Sequence, residues 1–288
     1  MKAKLTINLD EISSNADLSF AFLKEMDLQS CELRMINEKN ISQMNKKEVI
    51  EFSDVLKSKG ITPVSIASPI FKWNANNSQE TIIHDNFGID SKLSFTEKEK
   101  LVDRVLEYAD ILSIDKIRIF SYLGKVDNSL NTLFTDRVFE KLMRGNLTFL
   151  LENEPVCTVH TKQHLEDFAS LIADNNITNI KIWLDIANLI QIGEDIDESF
   201  IEKIAPYIEY IHVKDFIYNG YHVKYVPVGA GIINYVKILS LLNKHIPDSQ
   251  DITISIETHA KTEEEKYSYS KKSIIALREI LKEVSYEH

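Results

Sequence analysis

Cysteine is nearly absent from this chain: Cys31 and Cys157 are the two that occur in 288 residues. Cys31 falls in an apolar strand-like run and Cys157 in a loop, which excludes a disulfide framework and a cysteine-based zinc site. Glycine is almost as scarce, with 8 residues. No glycine-rich fingerprint follows the first strand, so a dinucleotide-binding reading loses its main support. No apolar run approaches the length of a membrane span. The opening Met1-Lys2-Ala3-Lys4-Leu5-Thr6-Ile7 lacks the apolar stretch of a signal peptide, so a cytoplasmic protein without membrane attachment is expected. Basic residues are outnumbered 33 to 44, for a net charge of −11. A phosphate backbone meets average repulsion from such a surface, so nucleic acid is not an expected partner.

What is present is a soluble composition, 44% hydrophobic and 27% charged, with ample material for a core. Strand-like and helix-like stretches alternate throughout. Strands are expected at 5–9, 30–36, 61–67, 116–120, 147–152, 180–185, 207–213 and 252–257. Between them, 3.6-residue periodicity marks helices at 14–25, 41–59, 94–112, 134–144, 161–175, 198–205, 235–244 and 263–284. Gly60 and Gly145 stand where helices should stop, and Ser94 with Glu97 forms a capping-box pattern. Eight alternating units imply a parallel sheet. A single (β/α)8 TIM barrel domain over 1–288 is expected, ahead of a doubly wound open sheet. Polar loops are expected at 74–93, which contains His84 and Phe87, and at 123–132.

Four successive strands end alike. Leu147-Thr148-Phe149-Leu150-Leu151-Glu152, Ile180-Lys181-Ile182-Trp183-Leu184-Asp185 and Ile252-Thr253-Ile254-Ser255-Ile256-Glu257 each finish in a carboxylate, and Tyr210-Ile211-His212-Val213-Lys214-Asp215 delivers a histidine. In a (β/α)8 barrel the strand carboxyl ends gather on one face, where active sites lie. Three carboxylates at one point repel one another unless a cation holds them. With an imidazole added, Glu152, Asp185, His212 and Glu257 make the ligand set of one divalent metal ion, Mn²⁺ or Mg²⁺ ahead of Zn²⁺.

Arg34 and Lys72 stand near predicted strand ends, where they either hold an anionic or polyhydroxyl substrate or form surface ion pairs. Lys214 lies two residues after His212 and points to the same side of an extended strand. It either supports a developing oxyanion or neutralises Asp215. His160 and His164 have the spacing of paired helical ligands, but Thr161 stands where the metalloprotease pattern needs glutamate, which favours a solvated helix face. His222 reads as an incidental loop histidine.

The segments Leu151-Glu152-Asn153-Glu154, Leu184-Asp185-Ile186-Ala187-Asn188, His212-Val213-Lys214-Asp215, Pro227-Val228-Gly229-Ala230-Gly231 and Ser255-Ile256-Glu257, in this order, resemble the xylose isomerase-like barrel superfamily of sugar-phosphate isomerases and epimerases. Glu32-Leu33-Arg34 and Ser68-Pro69-Ile70-Phe71-Lys72 extend the likeness into the amino-terminal half. The chain departs from the family at Ala230, where an acidic residue is frequent. The resemblance implies a metal held by Glu152, Asp185, His212 and Glu257, with Glu152 and Glu257 also acting as acid and base on opposite faces of a substrate. It implies isomerisation or epimerisation of an open-chain sugar, sugar phosphate or related polyol through an enediolate. A keto-polyol dehydratase would share the first step. An endonuclease IV-like phosphodiesterase of the same superfamily needs further histidines where Ser68, Ser121 and Asn188 stand. A non-catalytic binding protein on an old enzyme scaffold is disfavoured by the intact ligand set. The expected partner is a small sugar or polyol, and an oligomer is compatible with the sequence.

Overall fold

The structure, a computed structural model, describes residues 2–75, 93–124, 129–220 and 222–286. The predicted loop bearing His84 and Phe87 therefore lies almost wholly outside the described residues. Eight strands form one parallel sheet: β1 (Lys2–Ile7), β2 (Ser30–Leu33), β3 (Thr62–Ile66), β4 (Lys116–Ile119), β5 (Thr148–Glu152), β6 (Ile180–Asp185), β7 (Ile208–Val213) and β8 (Asp251–Ile256). Neighbours follow the order β1-β8-β7-β6-β5-β4-β3-β2, and a bridge between Asn8 and Glu32 draws β1 toward β2. The result is a nearly closed barrel with helices between its strands, the TIM barrel fold. No described helix is long and apolar enough to cross a membrane.

Alternation along the strands divides two environments. Ile180, Ile182 and Leu184 of β6 join the large apolar core that includes Phe168 and Leu165 of the helix Lys162–Asp174. Trp183 instead forms a small separate cluster with Leu150 and Tyr210, its ring stacked on Tyr210 at 3.6 Å. Thr6, Glu32, Ser65, Arg118 and Ser255 occupy equivalent strand positions and are all buried. Polar and aromatic groups on the strands thus lie beneath the carboxyl ends, where many barrels place branched aliphatics.

Local chemistry explains where the elements begin. Asn45 with Glu48 and Ser94 with Glu97 make capping boxes for the helices Lys46–Ser58 and Phe95–Leu112. Gly60 follows the first of these at φ +68°, as a helix-terminating glycine should. Three expectations needed revision. The helix expected at 134–144 begins at Arg137, because the Asp136 side chain accepts from the amides of Val138 and Phe139, and a separate short helix, Ser129–Phe134, occupies the end of the loop expected at 123–132. Asp185 caps an unforeseen helix, Ile186–Gln191. Residues 215–226 form an antiparallel hairpin, Asp215–Asn219 with His222–Val226, whose short alternating strands were too brief to read.

Candidate metal centre

Glu152 and Asp185 are the last residues of β5 and β6, His212 is the penultimate residue of β7, and Glu257 follows β8 directly. Ladder register aligns them: Asp185 pairs with His212, Ser255 pairs with His212, and the Glu257 amide donates to the Val213 carbonyl at 3.1 Å. All four are buried, and one donor atom from each lies within 4.8 Å of the others. His212 Nδ1 is 3.0 Å from Glu152 Oε1, 3.5 Å from Glu257 Oε2 and 3.9 Å from Asp185 Oδ2.

An arginine holds one oxygen of each glutamate, and Lys214 also donates to Glu257 Oε2 at 2.8 Å. Arg118 of β4 donates to Glu152 Oε2 at 2.9 Å, and Arg34 donates to Glu257 Oε1 at 2.5 Å. The other oxygens, Glu152 Oε1 and Glu257 Oε2, face His212. Burial drives the Glu152 carboxyl upward, but Arg118 and His212 outweigh it and lower it to about 2. Glu257 is likewise pushed up by burial yet held well below the carboxylate range by Lys214, His259 and His212. Asp185 goes the other way, because burial and the nearby glutamates outweigh Lys214.

Asp185 supplies the test of whether a cation fits. Its backbone is locked by Asn153, which donates to the Asp185 carbonyl at 2.9 Å and accepts from its amide at 2.8 Å. Its Oδ1 caps Asn188 at 2.8 Å. Its Oδ2 is buried and has no hydrogen bond among the described residues, its near neighbour being the Lys214 ammonium at 2.8 Å. A buried carboxylate oxygen without a hydrogen bond, beside two further carboxylates and one imidazole, fits a divalent cation. The group is one that could hold a metal ion.

A family model described as xylose isomerase-like TIM barrel matches residues 20–280. The chain belongs to the xylose isomerase-like TIM barrel family. No curated protein matches it significantly. Among solved structures, a probable 3-DHS dehydratase of Bacillus anthracis is 17% identical, covers 96% of this chain and 99% of its own, and superposes with a TM-score of 0.68. The IOLI protein with a bound zinc atom is 16% identical, with 95% and 97% coverage and a TM-score of 0.69. A 3-keto-D-glucoside 4-epimerase of E. coli is 17% identical, with 96% and 99% coverage and a TM-score of 0.66. At such identities these likenesses speak for the fold.

Of the three cations singled out in the sequence, Arg34 and Lys214 directly follow β2 and β7 of this xylose isomerase-like barrel, and Lys72 lies in the loop after β3. Arg34 is buried and bridges Asp10 (2.7 Å), Glu11 (2.5 Å) and Glu257. Lys72 lies 3.6 Å from Glu154 and over the Phe120 ring. Lys214 turns to Asp185 and Glu257, at 2.8 Å from each, and leaves Asp215 to other partners. His160 sits at the helix entrance against the Cys157 and Thr158 carbonyls, His164 takes part in the Thr161 capping box, and His222 is exposed. None belongs to the metal-ligand group found among the described residues.

Sequence reasoning missed Arg118, Asp10, Glu11 and His259. The signal for Arg118 was a charge alternating with isoleucines in Lys116-Ile117-Arg118-Ile119, which a buried strand tolerates only with a partner. Asp10 and Glu11 sit in a short turn after β1 and carry no pattern. His259 adopts a left-handed φ of 52°, stacks on Tyr225 at 4.7 Å and places Nε2 3.0 Å from Glu257. Strain of this sort gathers at functional sites.

Asp215 explains the glycine loop. Its carboxylate accepts from the amides of Phe216, Gly229, Gly231 and Ile233, at 2.9, 3.0, 2.9 and 3.2 Å. A Cβ at Gly231 would lie 2.0 Å from Asp215 Oδ1 and 2.5 Å from the Phe216 carbonyl. Gly231→Ala is therefore expected to destabilise the fold by about 1–3 kcal/mol through overpacking. Urea unfolding should show a lower midpoint at unchanged slope; an unchanged midpoint would refute the tight packing of this loop.

Proposed function

We propose that the chain is a metal-dependent isomerase or epimerase of an open-chain sugar, sugar phosphate or related polyol. The observation that carries this reading is the pairing of a candidate cation site with two glutamates, each fixed by an arginine on one oxygen. One divalent ion, Mn²⁺ or Mg²⁺ by the oxygen-rich donor set, would be held by Glu152, Asp185, His212 and Glu257. When bound, it would polarise a substrate carbonyl and its neighbouring hydroxyl and so acidify the intervening C–H bond. Glu152 and Glu257 come from β5 and from the end of β8, and so reach the site from different directions. One takes the proton from carbon, an enediolate results, and the other or the same glutamate returns a proton. Return to the same carbon from the opposite face is epimerisation; return to the neighbouring carbon is isomerisation.

Lys72, Arg34, Arg118 and Lys214 each contact a carboxylate already, at Glu154, Glu257, Glu152 and Asp185 respectively. That balance favours an uncharged polyhydroxyl compound over a phosphate ester. Incubating the metal-loaded protein with neutral ketoses and their phosphates, and analysing products by NMR, tests the proposal. An isomer of unchanged composition is expected. A product lighter by one water would replace it with the dehydratase reading, which the His259 imidazole beside Glu257 favours by offering a proton donor for a leaving hydroxide.

Nucleic acid remains outside this reading. Ser68 donates to the Arg118 carbonyl, Ser121 accepts from the Val159 amide and Asn188 donates to the Asn153 carbonyl, so the positions where endonuclease IV-like chemistry needs histidines are engaged in holding the backbone. With Zn²⁺ added, incision of abasic DNA is expected at background level. Robust metal-dependent cleavage would overturn the sugar reading.

A further inference from the structure

The barrel interior contains a carboxylate that the proposed chemistry does not use. Glu32 lies within β2 between two core residues, Cys31 and Leu33, and is completely buried. It meets no lysine or arginine among its hydrogen-bond partners. Instead Tyr210 Oη donates to its Oε2 at 2.9 Å and Asn8 Nδ2 donates to its Oε1 at 3.1 Å. His212 Nε2 lies 2.9 Å from Oε2 and 3.2 Å from Oε1. Ser65 Oγ donates to Tyr210 Oη at 2.9 Å, which leaves the tyrosine proton for Glu32.

We propose that Glu32 is a positioning residue that commits His212 to the tautomer with its proton on Nε2, so that the Nδ1 lone pair faces the metal site. This rests on the metal-dependent reading above. The argument is one of donors and acceptors. Asn8 and Tyr210 each donate to an oxygen of Glu32, so the side chain is an acceptor here and Nε2 faces it as a donor. A cation at the site would take the place of the Nδ1 proton, leaving Nδ1 to bind it through its lone pair. That nitrogen, Nδ1, is the one that faces Glu152, Asp185 and Glu257. The ring has little freedom to turn over, since Trp183 packs edge-on against it at 4.8 Å and 84°. The negative charge behind Nε2 also makes Nδ1 a stronger donor toward a cation, the relation by which outer carboxylates tune ligating histidines.

The test compares divalent-metal affinity in Glu32→Gln, Tyr210→Phe and the unaltered full-length chain. Metal-free protein is titrated with Mn²⁺ by calorimetry, with folding followed separately by circular dichroism. Glutamine keeps the volume, but its amide presents donors to donors and removes the charge, so Mn²⁺ affinity should fall roughly 10–100-fold. Tyr210→Phe removes another hydrogen bond to the same carboxylate but keeps both the ring that packs edge-on to the imidazole and the Glu32 charge, and should lower affinity far less than Glu32→Gln does. A merely structural role for Glu32 would weaken both variants alike. On the unaltered chain loaded with diamagnetic Mg²⁺ or Zn²⁺, long-range ¹H–¹⁵N spectra should show His212 protonated at Nε2. That measurement stands even if Glu32→Gln fails to fold. Equal Mn²⁺ affinity in folded Glu32→Gln and the unaltered chain, or a proton on Nδ1 in the loaded protein, would overturn the inference. Failure of the unaltered chain to bind any divalent ion would instead overturn the metal-dependent reading, and this one with it.

Discussion

Glu257→Gln is expected to lower turnover roughly 10²–10⁴-fold, the contribution of a positioned proton-transfer group. Glutamine retains the shape of the side chain, and its oxygen can still accept from Arg34, which lies 2.5 Å from Glu257 Oε1. What it loses is the basic oxygen Oε2, which faces His212 and Lys214. Glu152→Gln should cost a similar factor, because Arg118 of the neighbouring strand fixes Glu152 through one oxygen in the same manner. The two variants report different protons. In an epimerase each should block the substrate epimer whose carbon-bound proton faces the missing base, so exchange from one epimer can survive while full conversion fails. Steady-state turnover with both epimers measures this. Retention of more than a tenth of the activity in both variants contradicts the two-glutamate scheme.

Removal of the Asp185 carboxylate should reduce divalent-metal affinity by on the order of 10²-fold or more, beyond the 10–100-fold typical of outer-sphere changes. Asp185 Oδ2 is a buried carboxylate oxygen without a hydrogen bond, paired with the Lys214 ammonium at 2.8 Å, so a divalent cation would offset the cost of its burial further. Asp185 also caps the helix Ile186–Gln191. Asp185→Ala therefore loses a cap, worth about 1 kcal/mol, together with the ligand. Asp185→Asn preserves the cap through its side-chain oxygen and isolates the effect of charge. Elemental analysis of protein purified without chelator should find about one ion per chain, and far less in either variant or in His212→Ala. Full occupancy in these variants would place the ion elsewhere.

The barrel was legible because its strands are buried on both faces and so read as continuous apolar runs. Strand ends were legible for the same reason: a carboxylate after Leu150-Leu151 or Trp183-Leu184 breaks the run where the chain leaves the core. The internal polar layer was far harder to see. Glu32 and Arg118 are single charges inside apolar strands, and their partners, His212 and Glu152, lie far along the chain. Glu32 meets His212 across the barrel interior, and Arg118 meets Glu152 only through pairing of β4 with β5. The hairpin at Asp215–Val226 was missed because its organising interaction, the Asp215 carboxylate with four amides, is set by loop geometry and leaves only Gly229 and Gly231 as its trace. Lys214 illustrates the same point. Adjacency suggested Asp215 as its neighbour, while strand pleating sends the two side chains to opposite faces.

The most direct test of proton transfer at carbon is turnover of the preferred ketose or keto-polyol in D₂O by the metal-loaded chain. Glu152 and Glu257 are carboxylates that would exchange an abstracted proton with solvent, so product NMR should show deuterium at the reacting carbon. Product formed without deuterium would point to hydride transfer or a proton sealed from solvent, and the exchange mechanism built on the two glutamates would be contradicted.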